Sequence, residues 1–273
     1  MFLFSYLLFQ ERKKFYTHPA TYNTEMIIST PMQVYMPAKF QEMGPKIWNF
    51  VPRPDDIWII TYPKAGTTLT QELMWQIAHG VNIESEESQK NIFLRVPFIE
   101  FTALQTSVMP VPSIESDDPM SQMALMMNDT VAWTDKVKSP RIIKTHLPLS
   151  MLPPNLCEVS KVLYVGRNPK DNCVSFYHFE KLLHNQGLDQ DANYQDYATK
   201  LYLKGRLVYG DYWTHLKDAW KYKTEKNFKL IWYEDMRADL SKAIRDIADF
   251  TGYQVLYNKI FKISKQILCF NFR

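Results

Sequence analysis

The chain has 273 residues, of which 46% are hydrophobic and 22% are charged, and its formal net charge at pH 7 is +3. This composition excludes disordered, collagenous and coiled-coil proteins, and the charge is too small for a dedicated nucleic-acid or membrane-surface binder. The cysteines Cys157, Cys173 and Cys269 form no CxxC pair, so we expect neither a disulfide framework nor a metal site. We predict a globular protein of a reducing compartment, the cytoplasm.

The chain begins with an apolar run, MFLFSYLLFQ, of about the length of a signal-peptide core. No basic residue precedes the run and a basic cluster at 12–14 follows it, which is the wrong order for secretion. It is also shorter than the roughly 20 apolar residues that cross a bilayer. We therefore expect no stable membrane span and interpret residues 1–42 as a partly disordered N-terminal extension.

Strand patterns come next in the chain. Four short segments that are apolar and rich in β-branched or aromatic residues are typical of strands: 57–62, 141–145, 161–165 and 228–233. Between the first two, residues 102–129 contain three prolines and are interpreted as a long mobile loop.

Helical patterns follow three of the four strands. Apolar residues at i, i+4 and i+8 predict a helix over about 67–79, Asp171 is expected to cap a second helix through about 183, and a third helix ends at Gly252. This alternation predicts a single α/β domain over 43–255, with a mostly parallel sheet and helices on both of its faces.

Ligands of parallel α/β sheets bind at the carboxyl ends of the strands, which selects three loops. The first loop, 63–68, carries Lys64, Gly66 and two threonines, and it leads into a helix N-terminus whose N–H groups can bind a phosphate. It is not a Walker A loop, because Lys64 precedes Gly66, so a standard nucleotide kinase is disfavoured. On this loop alone an alternative is equally open, in which Thr67 only caps the helix and Lys64 is solvated.

The second and third loops add a histidine and further cations. Lys144 and His146 face the same side of an extended chain, because strand side chains alternate, and a histidine in such a place can act as a general base near neutral pH. Arg167 lies at the same edge of the predicted sheet, and together with Ser175 it can hold a second phosphate. Taken singly, each of these residues is more often structural or a surface group.

The motifs in this region resemble those of the cytosolic sulfotransferases and occur in that family's order: TYPKAGTT, RVPFIE, RIIKTHLPLSMLPPN, YVGRNPKDNCVSFYHF, VYGDYWTHLKDAW and LIWYEDM. The resemblance covers about 43–255. It implies an enzyme with a P-loop-like strand-loop-helix that transfers a sulfuryl group from 3′-phosphoadenosine 5′-phosphosulfate to a hydroxyl or amine of a small acceptor, such as a phenol, a steroid or an alcohol. It implies no metal.

The resemblance also implies roles for the site residues. His146 is expected to take the acceptor's proton, Lys144 to help stabilise the transferring sulfuryl group, and Lys64 to stabilise charge on the leaving phosphate oxygen. The residues implied to hold the 5′-phosphosulfate are Lys64, Ala65, Gly66, Thr67 and Thr68. The residues expected to contact the acceptor are Phe98, Phe101, Lys144 and His146.

The remaining implied contacts concern the nucleotide. Arg167 and Ser175 are expected to bind the 3′-phosphate, and Ser175 also to restrain Lys64 until the acceptor arrives. Tyr209 matches a family tyrosine that approaches the adenine, and Leu69 stands where the family commonly has a tryptophan that stacks on it.

The C-terminal region departs from the family's pattern. The family continues to a distal RKGxxGDWK-like segment that binds the 3′-phosphate and carries the usual dimer contact, and residues 256–273 do not resemble it. We interpret this region as an atypical tail and the chain as a truncated form, in which a homodimer stays an open alternative. The second functional hypothesis is therefore a catalytically impaired form that only binds nucleotide or a protein partner.

Overall fold

A computed structural model describes residues 26–29, 32–80, 84–105, 119–182, 188, 191–256, 259–260 and 263–264. Three predictions fall in whole or in part outside the described residues. They concern the N-terminal extension (its residues 1–25 and 30–31), the long loop (its residues 106–118), and most of the C-terminal tail after 256.

The described residues contain six strands: β1 Met26–Ser29, β2 Val34–Pro37, β3 Ile57–Thr61, β4 Ile142–Thr145, β5 Lys161–Gly166 and β6 Phe228–Trp232. β1 and β2 pair antiparallel as a separate two-stranded sheet. The other four form one sheet in the order β4-β3-β5-β6, and every neighbouring pair in it is parallel. All four predicted strands are therefore confirmed to within a residue or two at their ends.

The α-helices of the described residues are α1 Phe40–Trp48, α2 Thr67–Ala78, α3 Glu86–Gln89, α4 Ile92–Arg95, α5 Pro119–Asn128, α6 Thr130–Lys136, α7 Leu156–Val159, α8 Pro169–Leu182, α9 Tyr194–Asp196, α10 Tyr212–Trp220, α11 Tyr233–Ala238 and α12 Leu240–Thr251. Short 3₁₀ helices cover Phe101–Leu104, Leu149–Met151 and Tyr202–Lys204, and a π-helical turn covers Tyr197–Leu201. No helix in the described part of the chain is long and apolar enough to cross a bilayer.

The central strand β3 is buried along its whole length, which explains its unbroken apolar sequence. Its side chains alternate between two hydrophobic clusters: Trp58 and Ile60 belong to one cluster, and Ile57 and Ile59 to the other. Each face of the sheet therefore needs its own layer of helices to exclude water.

Helices cover both faces of the sheet. Leu73 of α2 and Ile244 of α12 pack into the cluster of Ile57 and Ile59, and both are fully buried. Phe40 of α1 and Tyr212 of α10 pack into the other cluster. The predicted single α/β domain with helices on both faces is confirmed. The boundary expected between residues 42 and 43 falls inside α1.

Two local predictions were wrong. Helix α8 begins at Pro169 rather than after Asp171, because Asn168 accepts the Lys170 N–H at 3.0 Å and proline suits the first helical position. The interval 102–129 is not a loop throughout, since α5 occupies Pro119–Asn128. Asp129 accepts the N–H of Ala132 at 3.0 Å and caps α6, so a proline and a capping residue that suggested a loop in fact begin helices.

A short extended segment lies along the outer strand β4. Lys144 donates its main-chain N–H to Pro97 at 2.7 Å, and Ile99 donates to the Lys144 carbonyl at 3.1 Å. Phe98 and Lys144 form a parallel bridge. This pairing places the aromatic and acidic residues that follow position 97 beside the carboxyl end of the sheet.

Candidate active site

The loop after β3 makes a tight turn into α2. Lys64 has φ 64° and Gly66 has φ 110°, both in the left-handed region, and α2 begins at Thr67. The first-turn N–H groups of a helix have no partner within that helix, so this end of α2 is suited to an anion. The Thr67 hydroxyl lies 2.6 Å from that of Thr61, Thr68 is exposed, and Ala65 is buried below them.

Gly66 is required at this turn for two independent reasons. Its φ is strained for any residue with a side chain, and a Cβ would lie 2.6 Å from Cδ2 of Tyr233. We expect Gly66→Ala to lower the free energy of unfolding by roughly 2–4 kcal/mol, combining backbone strain with overpacking. Gly252→Ala is the matched control, because Gly252 has φ 85° with open space around it, and we expect it to show only the strain. Urea unfolding measures both variants, and equal losses would contradict the crowding at Gly66.

The loop after β5 is joined to the loop after β3. Arg167 donates from Nη1 to the Lys64 carbonyl at 2.8 Å, and its guanidinium lies 4.6 Å from the centroid of the Tyr233 ring. Its buried Nε has no hydrogen-bond partner among the described residues. Asn172 of α8 donates to the Pro63 carbonyl at 2.7 Å. The two predicted phosphate-binding loops therefore form one cationic edge with an unused donor.

The resemblance implies a contact between two side chains near this edge, Lys64 and Ser175. The Lys64 ammonium lies 4.5 Å from the centroid of the exposed Phe179 ring, and burial together with the Arg167 guanidinium lowers its pKa. Ser175 is half-buried on α8, and within the described residues it makes no hydrogen bond to Lys64 or Arg167. Its roles toward the 3′-phosphate and Lys64 stay predictions.

His146 is buried just after β4, with its ring fixed by Thr61. Nδ1 lies 2.8 Å from the Thr61 carbonyl oxygen, and since a carbonyl only accepts, Nδ1 carries the proton. Burial, reinforced by the nearby Lys144 charge, lowers the pKa of His146 well below its ordinary value. The imidazole is therefore neutral near pH 7, with the lone pair on Nε2, which is the form that a general base needs.

An aromatic group lies beside Lys144 and His146. The Lys144 ammonium is 4.0 Å from the Phe98 centroid and 5.7 Å from that of Phe93, and the His146 and Phe98 rings meet edge to face at 5.2 Å. Phe101 packs against Phe98 at 6.1 Å. The structure therefore brings the four residues predicted to contact an acceptor together.

The remaining predicted residues lie in different surroundings. The Tyr209 ring packs on His146 at 5.4 Å and its hydroxyl donates to Glu100 at 3.2 Å, so the structure places it with the histidine rather than with Lys64 and Arg167. The adenine contact implied for Tyr209 stays a prediction. Leu69 is 8% exposed and packs into the core under α2.

Three further residues contact Lys144 or His146 but were not predicted as site residues: Phe93, Glu100 and His215. His215 donates from Nε2 to the His146 carbonyl at 2.9 Å, and Tyr164 lies 2.8 Å from its Nδ1. Glu100 and His215 lie inside the family motifs RVPFIE and VYGDYWTHLKDAW, which gives them no role by themselves, and no motif contains Phe93. In the described ranges, no cluster of three or more His, Cys, Asp or Glu side chains is placed to hold a metal ion.

The buried histidines make folding stability depend on pH. Burial lowers the pKa of His215 to about 4 and that of His146 well below 6.5, whereas burial raises the pKa of Glu100. Below about pH 6.5 each of these histidines is protonated in the unfolded state but not in the folded state. As the pH is lowered, the free energy of unfolding therefore decreases by about 1.4 kcal/mol per pH unit for each histidine. Glu100 acts in the opposite direction.

The contribution of one histidine can be isolated by a variant. We expect His215→Gln to reduce the slope of unfolding free energy against pH by about 1 kcal/mol per unit between pH 6 and 5. Urea unfolding at several pH values measures both slopes. A variant with the wild-type slope would show that His215 is protonated in the folded protein.

Comparison with known proteins is consistent with this geometry. Residues 54–272 match the family model described as "Sulfotransferase domain". The chain is 31% identical over 230 residues to cytosolic sulfotransferase 1 of Danio rerio, covering 84% of this chain and 69% of that protein. It is 34% identical over 212 residues to sulfotransferase 1C2 of Homo sapiens, covering 77% of this chain and 63% of that protein.

Solved structures agree with the sequence relatives. Retinol dehydratase, solved with retinol and PAP, has a TM-score of 0.79 and 26% identity, with 91% of this chain and 75% of that chain covered. The same enzyme solved with androsterone and PAP has a TM-score of 0.78. The family match spans well over half of the chain and the fold agrees with it, so this chain belongs to the sulfotransferase family.

Proposed function

We propose that this chain transfers a sulfuryl group from 3′-phosphoadenosine 5′-phosphosulfate to a hydroxyl or amine of a small acceptor, such as a phenol, a steroid or an alcohol. The observation that carries the proposal is the fixed, neutral imidazole of His146, which packs on Phe98 beside the Lys144 ammonium and keeps its lone pair on Nε2. The names of the sulfotransferase relatives support it, as do the complexes of retinol dehydratase with PAP. We also propose a cytoplasmic location for this chain, because the Danio rerio relative is named a cytosolic sulfotransferase.

The residues of the cationic edge fit an anionic nucleotide. The left-handed Gly66 turns the loop into the N-terminus of α2, and the buried Nε of Arg167 is a donor without a partner among the described residues. Lys64 to Thr68 would hold the 5′-phosphosulfate, and Arg167 with Ser175 would hold the 3′-phosphate. The bound donor supplies the sulfuryl group, whose bond to a phosphate oxygen breaks as a bond to the acceptor forms.

The chain's own residues account for the chemistry around that transfer. His146 Nε2 takes the acceptor's proton, because a phenol with a pKa near 10 is a poor nucleophile at pH 7. Lys64 stabilises the negative charge that develops on the leaving oxygen, where a fixed cation has its largest effect. Lys144 lies on the acceptor side and stabilises charge on the transferring group, while Phe98 and Phe101 exclude water from it.

Nucleotide recognition can be tested separately from catalysis. We expect adenosine 3′,5′-bisphosphate at 100 times its Kd to stabilise the chain by about 2.7 kcal/mol, or roughly 5–10 °C in Tm, and 5′-AMP at the same concentration to do much less. Arg167→Ala should remove the difference between the two nucleotides. Equal shifts with both nucleotides would contradict a 3′-phosphate site.

Transfer itself is tested by product formation. Purified protein, donor and a panel of phenols, steroids and amines should give sulfated products. A shift with the bisphosphate but no product from any acceptor would favour the second hypothesis, a chain that only binds nucleotide. Transfer of phosphate from labelled ATP would instead indicate a kinase.

A further inference from the structure

Glu100 is a buried carboxylate beside the candidate base. It is 0% exposed and follows the short segment that pairs with β4. Its Oε1 accepts the main-chain N–H of His146 at 2.6 Å and the Tyr209 hydroxyl at 3.2 Å. Its Oε2 is buried without a hydrogen-bond partner among the described residues. A carboxylate is costly to bury, so such a residue is poorly explained as packing alone.

The charge of Glu100 is balanced within the site. Lys144 acts on the Glu100 carboxylate through its charge, and the His146 main-chain N–H and the Thr145 hydroxyl act on it through hydrogen bonds. Glu100 in turn acts on Tyr209, and Lys64 acts on Lys144. Burial raises the pKa of Glu100 and lowers that of Lys144, and the charge of each opposes the shift of the other. Ile99, the residue before Glu100, donates its main-chain N–H to the Lys144 carbonyl, so the two charged residues are neighbours across this pairing. Glu100 is thus the carboxylate that favours a protonated Lys144.

The main chain of His146 is held on both sides of its Cα atom. Glu100 accepts its N–H, and His215 donates to its carbonyl oxygen at 2.9 Å. The ring is fixed separately, through Nδ1 on Thr61. The position of Nε2 follows from these three contacts, and a displacement of about 1 Å at a reacting group can lower a rate about 100-fold.

We propose that Glu100 is a positioning residue for His146, fixing its main chain and the neighbouring Tyr209 hydroxyl, and that it supplies the counter-charge of the Lys144 ammonium. The inference rests on the proposed function only for the rate that it predicts. The placement of the imidazole can be tested without any transfer activity.

Three substitutions separate the positional part from the charge part. Glu100→Asp keeps the charge but withdraws the carboxylate from the His146 N–H by one methylene. Glu100→Gln keeps an acceptor oxygen but removes the charge. Tyr209→Phe removes only the second hydrogen bond to Oε1 and leaves the His146 contact in place.

The kinetic results expected differ among the variants. Glu100→Asp should lower kcat about 10- to 100-fold with KM for the donor nearly unchanged, and keep the wild-type pH profile. Glu100→Gln should shift the alkaline limb of kcat to lower pH, because Lys144 then loses its proton more easily. Tyr209→Phe should lower kcat only a few-fold. Wild-type kcat and pH profile in both Glu100 variants would overturn the proposal.

The imidazole gives a readout that does not depend on activity. In protein labelled with ¹⁵N-histidine, His146 should show a protonated Nδ1 and an unprotonated Nε2 near pH 7. We expect Glu100→Asp to broaden or shift these resonances and Tyr209→Phe to preserve them. Unchanged resonances in Glu100→Asp would overturn the positional claim, and this holds even if the wild-type chain transfers no sulfuryl group.

Asp218→Asn is the matched control for a purely structural role. Asp218 is 1% exposed and accepts the main-chain N–H of Ser150 at 2.8 Å, much as Glu100 accepts that of His146. We expect Asp218→Asn to lose about as much thermal stability as Glu100→Asp, but to show no change in kcat below the unfolding temperature. If kcat falls equally in Asp218→Asn and Glu100→Asp, in proportion to stability, Glu100 has only a structural role.

Discussion

His146→Ala is expected to lower kcat by 10²- to 10⁴-fold, the range over which a positioned general base contributes. The side chain is a neutral imidazole that packs on Phe98 beside Lys144, and its Nδ1 is already engaged with Thr61. Acceptors with a low pKa should lose less rate than a phenol with a pKa near 10, because they are partly ionised without a base. Initial rates of sulfated product across a series of phenols measure both effects.

Two controls separate chemistry from folding in this experiment. The bisphosphate-induced Tm shift should persist in His146→Ala, because the cationic edge is formed by Lys64 and Arg167. His178→Ala removes an exposed histidine from α8 and should leave the rate within about two-fold. An unchanged rate in His146→Ala would exclude this histidine as the base.

Lys64→Met is expected to lower kcat by about 10²- to 10³-fold, comparable to the loss of one fixed group that stabilises a developing oxyanion. Methionine keeps much of the length of the side chain and leaves the residue 64 carbonyl available to Arg167, whose Nη1 contact is to the main chain. The loss should therefore appear in kcat much more than in the bisphosphate-induced Tm shift. Single-turnover rates with saturating donor measure the chemical step directly.

Lys170→Met is the matched control, since Lys170 is an exposed lysine in the first turn of α8, after the neighbouring loop. Its rate should stay within about two-fold of wild type. Equal losses in both lysine variants would indicate that the net charge of this edge matters, rather than one ammonium at the leaving oxygen.

Local patterns predicted the parts of the fold that are decided within a few residues. The strand at 57–61 and the helix at 67–78 follow from continuous and periodic apolar residues, and Gly252 ends its helix with φ 85° as expected. The start of α8 was misplaced because Asn168 and Asp171 are both good capping residues. Only the backbone conformation distinguishes them, because it lets the Asn168 side chain accept a hydrogen bond from the Lys170 N–H.

The contacts that build the candidate site join residues far apart in the chain. Both Glu100 and His215 form hydrogen bonds with the main chain of His146, which lies 46 positions after the first and 69 positions before the second. No periodicity or spacing encodes such pairs. The same holds for Tyr209, whose ring packs against His146, a residue 63 positions earlier in the chain.

By itself, the sequence determined the family, the order of strands and helices, and the three loops that supply Lys64, His146 and Arg167, because motifs and apolar periodicity are local properties. The tertiary structure decided the protonation state and the orientation of the His146 ring. Those depend on which groups the fold buries together, namely the Thr61 carbonyl, the Glu100 carboxylate and the Lys144 ammonium. Burial and long-range hydrogen bonds set the chemistry of a side chain, and both exist only once the sheet has brought its strand ends side by side.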